Sequence, residues 1–123
     1  MLNSDTALSA SIGAWRARRC AMVTALTKFV LFYESAPNVA VNAPPLVAAH
    51  RARWAEFAEG GSLLMIGTFG DPQNEGSMSV FTSRAAAEAF AQGDPFVLQG
   101  VVDRWYVREW NEVLGQPLTD RRS

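Results

Sequence analysis

The chain has one cysteine, Cys20, and one histidine, His50, among 123 residues. An internal disulfide is excluded, and no Cys/His set has metal-ligand spacing, so no metal is expected. The single thiol fits a reducing compartment, and the cytoplasm is the expected location. Charge of one sign is also missing: 11 Lys and Arg stand against 12 Asp and Glu, leaving a net charge of −1. No basic face for nucleic acid is expected. The apolar runs stop after a few residues, well short of the roughly 20 that span a bilayer, so no membrane segment is expected either. There is no G-x-G-x-x-G or Walker spacing to cradle a phosphate, and no serine in a G-x-S-x-G context to act as nucleophile. Chemistry without a cofactor is what these absences leave open.

What is present reads as one domain between two polar ends. The first 22 residues place Arg16, Arg18 and Arg19 after a weakly apolar part, the reverse of a secretory signal. Residues 1–24 are therefore expected to be a flexible leader, which leaves Cys20 a poor candidate nucleophile. The domain is expected over 25–114, with 115–123 a fraying tail. Within it "LTKFVLFYE" (26–34) is β-branched and aromatic and predicts a strand covered on both sides. "SAPNVAVNAPP" predicts a loop, and "LVAAHRARWAEFAEGG" a helix closed by two glycines. "SLLMIGTF" (62–69) and "SMSVFTS" (77–83) predict two antiparallel strands joined by the turn chemistry of "GDPQNEG". Ser83 is the expected N-cap of a second helix, "RAAAEAFAQ", and "VVDRWYVREWNEV" (101–113) the final strand.

The order β, α, β, β, α, β predicts an α+β ferredoxin-like fold, with both helices on one face of a four-stranded antiparallel sheet. Its strands carry Phe29, Phe32, Tyr33, Trp105, Tyr106 and Trp110, more large side chains than one face can bury. Covering the second face with a copy of itself removes that apolar surface, so a homodimer is expected.

On a helical wheel, Leu46, Val47, His50, Trp54 and Phe57 fall within an arc of about 100°. An imidazole inside that stripe needs a hydrogen-bond partner. Two readings follow: a core histidine bonded to a backbone carbonyl, or a functional histidine with a carboxylate. Asp94, in "GDPFVLQG", likewise has two readings. Asp before Pro is a helix start, in which the carboxylate caps free N–H groups. If Asp94 also meets His50, one oxygen would cap and the other would orient the imidazole, making it a better general base. Tyr33, Trp54, Phe69 and Phe96 are candidates to line an apolar pocket, each with a plain core role as the alternative. Ser77 and Ser79 share a strand face and either line that pocket or meet solvent. Gly67, Gly70, Asp71, Asn74 and Gly76 are explained by the hairpin turn.

The strand "KFVLFYE", the helix with "HRARW", the hairpin "EGGSLLMIGTF" to "GSMSVF", the helix "RAAAEAFAQ" and the segment "GDPFVLQGVVDRWYVREWNEV" together resemble the YciI-like (YCII-related) proteins, over about residues 26–113. The resemblance implies a dimeric α+β barrel with an active-site pair, a helix histidine and an aspartate at the "DPF" turn, which match His50 and Asp94 here. The family includes dehydrochlorinase activity on a chlorinated hydroxyquinol, a reaction that suits a metal-free acid/base pair. The hairpin "GTFGDPQNEG" is longer and more polar than the family pattern. Two functions are carried forward: a cofactor-free enzyme of proton transfer or elimination on a small-molecule ligand, aromatic compounds among the candidates, and a non-catalytic dimeric module that binds a small molecule or a protein.

Overall fold

The run TKFVLFYES forms β1, Thr27–Ser35, followed along the chain by the other strands of the sheet, β2 (Leu63–Thr68), β3 (Ser77–Phe81) and β4 (Val102–Asn111). A computed structural model describes residues 27–115; the expected leader and nearly all of the expected tail lie outside them. Two longer helices, α2 (Val47–Glu59) and α4 (Arg84–Gly93), supply the crossovers. Three short helices are added: α1 (Val39–Asn42), α3 (Pro72–Glu75) and α5 (Pro95–Leu98). Lys28–Trp110 is one compact unit. Just outside it, the Thr27 hydroxyl donates to Asn111 Oδ1 at 3.1 Å.

The sheet order is β2-β3-β1-β4. β3 runs antiparallel to β1 and to β2. Between β1 and β4, Phe32 stacks on Tyr106 and Arg104 bonds Glu34, so those strands also run in opposite directions. This is the ferredoxin-like α+β arrangement expected from the order of elements. Register puts Tyr33, Ser77 and Thr68 in one row and Leu31, Ser79 and Ile66 in the next. These rows face the helices, where Leu31, Leu63, Phe81, Ala87, Phe90 and Ala91 make the buried core. Phe57, Phe81 and Phe90 meet there with ring centroids 5.2 to 6.4 Å apart, two of the contacts being edge-to-face. Alternation sends Val30, Phe32, Met78 and Val80 to the opposite face.

The two main helices are built differently. In α4 the Ser83 hydroxyl accepts from Ala86 N at 3.1 Å, capping the start as expected, and Ala87, Phe90 and Ala91 are fully buried. No residue of α2 is fully buried. His50, Trp54 and Phe57 are half-buried as the stripe required, but Val47 is 38% exposed, because it opens the helix after a 3-10 turn at Pro44–Leu46 and faces outward. The end of α2 is a Schellman turn: Gly61 takes a φ of 88°, its N–H donates to Ala58 O, and Ser62 N donates to Phe57 O.

The predicted loops before α2 and between β2 and β3 each hold a helical turn fixed by side chains. In α3, Asp71 accepts from the Asn74 amide and Pro72 opens the turn. Gln73 reaches across to the other loop, its Oε1 accepting from Val39 N at 3.0 Å and its Nε2 donating to Ala36 O at 2.8 Å. Gly76, at φ 75°, closes the hairpin against β1, and a Cβ there would collide with the Tyr33 carbonyl.

Candidate active site

Asp94 stands between α4 and α5, ending one and starting the other. Its extended backbone (φ −72°, ψ 127°) breaks the helix, and Pro95 restarts it. The side chain is completely buried. Three donors meet it. Oδ1 accepts from Phe96 N at 3.1 Å and lies 2.8 Å from His50 Nδ1, while Oδ2 accepts from the Tyr33 hydroxyl at 2.6 Å. The expected division, one oxygen for the cap and the other for the imidazole, is thus not what forms: Oδ1 does both, while the buried Tyr33 hydroxyl occupies Oδ2. A buried carboxylate with three donors is compensated for its lost water.

This network assigns the imidazole tautomer. Tyr33 and Phe96 both donate, so the carboxylate accepts, and His50 Nδ1 carries the proton toward it. Nε2 makes no hydrogen bond among the described residues. Phe96 stacks flat on the ring, centroids 4.0 Å apart at 16°, and Phe90 meets its edge at 6.2 Å. Burial above all, then the hydrogen bond to Asp94 and that carboxylate's charge, push the Tyr33 phenol far above its ordinary range, with Arg53 opposing weakly. Tyr33 is therefore a fixed donor.

Arg53, one turn after His50, ties α2 to the end of α4. Its Nη2 donates to Ala89 O at 2.8 Å and its Nε to Phe90 O at 3.2 Å, and the guanidinium lies 5.0 Å from the Phe57 ring centroid. The cation sits on the carbonyls that end α4, where it suits the helix dipole. A Cβ at Gly93 would collide with it. Arg53 was not among the sequence candidates; its spacing of three from His50 put it on the same helix face, which was the available signal.

His50, Trp54, Ser77, Ser79, Tyr33 and Phe96 all border a cavity of about 220 Å³. Thr68, which sequence reasoning passed over, borders it as well. Phe69 does not. It is 38% exposed and lines a separate depression with Met65, Met78 and Val80. The cause is a bulge in β2: Leu63 pairs with Phe81 and Met65 with Val80, so Leu64 is an extra residue and the in-out alternation resets.

A family model for the YCII-related domain matches residues 27–111. The chain belongs to the YCII-related family. Among solved structures, this YCII-related protein is similar to 5-chloro-2-hydroxyhydroquinone dehydrochlorinase from Burkholderia phenoliruptrix AC1100, solved in complex with 2,5-dihydroxybenzoquinone. The two are 21% identical with a TM-score of 0.53, over 68% of this chain and 93% of that one. At that identity the likeness is one of fold. A conserved protein from Methanosarcina mazei Go1 aligns at 8% identity and a TM-score of 0.47, over 75% of this chain and 98% of that one. Hydroxynitrile lyase from Passiflora edulis aligns at 13% and 0.39, over 74% and 96%. No curated protein matches the chain significantly. Among the described residues no helix is long and apolar enough to cross a membrane, and no group of three or more His, Cys, Asp and Glu is placed to hold a metal ion.

Proposed function

We propose that this YCII-related protein is a small enzyme that works without a cofactor, using His50 and Asp94 as an acid/base pair for proton transfer or elimination on a small molecule. The supporting observation is the 2.8 Å contact between His50 Nδ1 and a fully buried Asp94 carboxylate, with the ring at the edge of a cavity. In this reading Nε2 takes a proton from the substrate, and Asp94 holds the ring's orientation and stabilises the imidazolium that forms. Tyr33 and the Phe96 amide fix Asp94 in turn. Trp54, Ser77 and Phe96 are the proposed substrate contacts; Phe69 is withdrawn from that set by its position.

The resemblance to a dehydrochlorinase makes loss of HCl from a chlorinated hydroquinol the first reaction to try. The carbon that bears chlorine first takes a proton as the ring shifts to its keto tautomer; a base then removes the proton of a second hydroxyl, that electron pair moves through the ring to form the quinone, and chloride leaves with the electrons of the broken C–Cl bond. Chloride release should be measurable with the purified chain and fall by about 10² to 10⁴ in folded His50→Ala and Asp94→Asn variants, the usual range for general acid/base catalysis. Undiminished turnover in both variants would end the acid/base reading. An inert wild type that still binds the compound would favour the non-catalytic binding module. The same reading includes a homodimer through the sheet face that carries Phe32, Met78 and Tyr106. Sedimentation at micromolar concentration should give about twice the 13.4 kDa chain mass, and a strict monomer would sink that part.

A further inference from the structure

We propose that a second cavity beside the His50 site seats an uncharged, largely apolar group of the ligand, and that the site turns away anions of the same shape. The proposal rests on the reading that the His50 cavity takes a small molecule, and it concerns which one. The second cavity measures about 380 Å³, within the roughly 300–1,000 Å³ common for ligand pockets. Tyr33, Thr68, Ser77 and Phe96 line both cavities, so the two adjoin along a shared wall. Val39, Ala40 and Ala43 form one side of the larger space, and Val101 and Val102 form another.

Its polar groups are mostly spoken for. Gln73 is used at both amide atoms by Val39 N and Ala36 O, the Ser35 hydroxyl donates to Pro72 O at 2.6 Å, and the Tyr33 hydroxyl belongs to Asp94. The Thr68 and Ser77 hydroxyls make no hydrogen bond among the described residues, and they pair directly in register at the boundary of the two cavities. They are the available partners for one hydroxyl or carbonyl of a ligand whose apolar body lies in the larger space. No Arg or Lys lines either cavity; the ionisable side chains there, apart from the Tyr33 phenol, are Asp71 at the larger one and His50, paired with the Asp94 carboxylate, at the smaller. Arg53 is committed to the carbonyls of Ala89 and Phe90. A carboxylate, sulfonate or phosphate would give up its water here without meeting a fixed cation.

The test uses two fluorescent probes of nearly one shape, the uncharged N-phenyl-1-naphthylamine and its sulfonated analogue 1-anilinonaphthalene-8-sulfonate, titrated into the full chain with circular dichroism as the check on folding. The uncharged probe should bind at least tenfold more tightly. Ala43→Phe, which fills the larger cavity, should weaken that binding at least tenfold, and Val47→Ala, exposed on α2 and lining neither cavity, should leave it within twofold. Val39→Phe makes the same test should Ala43→Phe fail to fold. Equal affinity for the two probes, or unchanged affinity in the folded cavity-filling variant, overturns the proposal. Failure of the acid/base reading would show instead as chloride release that survives His50→Ala, a result that leaves the probe affinities untouched.

Discussion

α4 and α2 occupy the same layer, yet they are opposite kinds of helix. α4 has a sharp inner stripe, Ala87, Phe90 and Ala91, with no exposure at all, and a side-chain cap at its start. α2 has no fully buried residue and no side-chain cap, and its inner side carries His50, Arg53 and Trp54. The difference is in what each helix faces. α4 lies on close-packed Phe81 and Leu31, where only apolar side chains are tolerated. α2 faces a cavity, the buried Asp94 and the carbonyl end of α4, which call for polar groups at chosen points. Weak amphipathicity in a helix that is firmly part of the fold therefore marks where the packing was given up for a site.

That contrast can be broken in either direction. Phe90→Ala should cost about 4 kcal/mol, because it removes the ring that Phe57 and Phe81 pack against. Denaturant unfolding would measure it, and a loss under about 1 kcal/mol would mean that α4 is not the anchor. Asp94→Ala should come next, at about 3 kcal/mol, since it strips the acceptor from the Tyr33 hydroxyl and the Phe96 amide together. Tyr33→Phe should cost about 2 kcal/mol, the worth of a buried hydrogen bond to a charged group. It should also change the alkaline limb. The native state keeps this phenol protonated while an unfolded tyrosine ionises near pH 10, so wild-type stability should fall above about pH 10 by about 1.4 kcal/mol per unit. A wild type that loses no more stability there than Tyr33→Phe would contradict the buried donor. Val47→Ala, on the outward side of α2, should stay within about 0.5 kcal/mol of wild type by thermal melting. A larger loss would mean that α2 is packed like α4 after all.

The strands and main helices were legible because period-2 and period-3.6 patterns extend over enough residues to be seen, as in "TKFVLFYES" and "RAAAEAFAQG". Of the short helices, α5 was announced by Asp94 before Pro95, but α1 and α3 were not. "VAVN" and "PQNE" hold only four residues each, too few for a period, and are set by Gln73 and Asp71, whose partners lie in another loop or in a particular rotamer. Phe69 was misplaced for a related reason: a single extra residue at Leu64 reverses every later assignment on β2, and nothing in "SLLMIGTF" marks it. Of the site, the residue types of His50 and Asp94 were readable, and so was the cap. What the chain could not disclose was the third donor. Tyr33 lies 61 residues from Asp94, and only the folded sheet brings them together.

Asp94 is the stop of one helix and the start of the next, and also the acceptor for the imidazole. Had α4 run on by a single residue, the carboxylate would have swung by about 100° around the helix axis, out of reach of His50 and Tyr33 together. Termination of a helix and the partnering of the histidine are thus one event. A molecule that has settled its α4–α5 boundary has also brought Asp94 within reach of His50 and Tyr33, so the pair exists only in the folded chain.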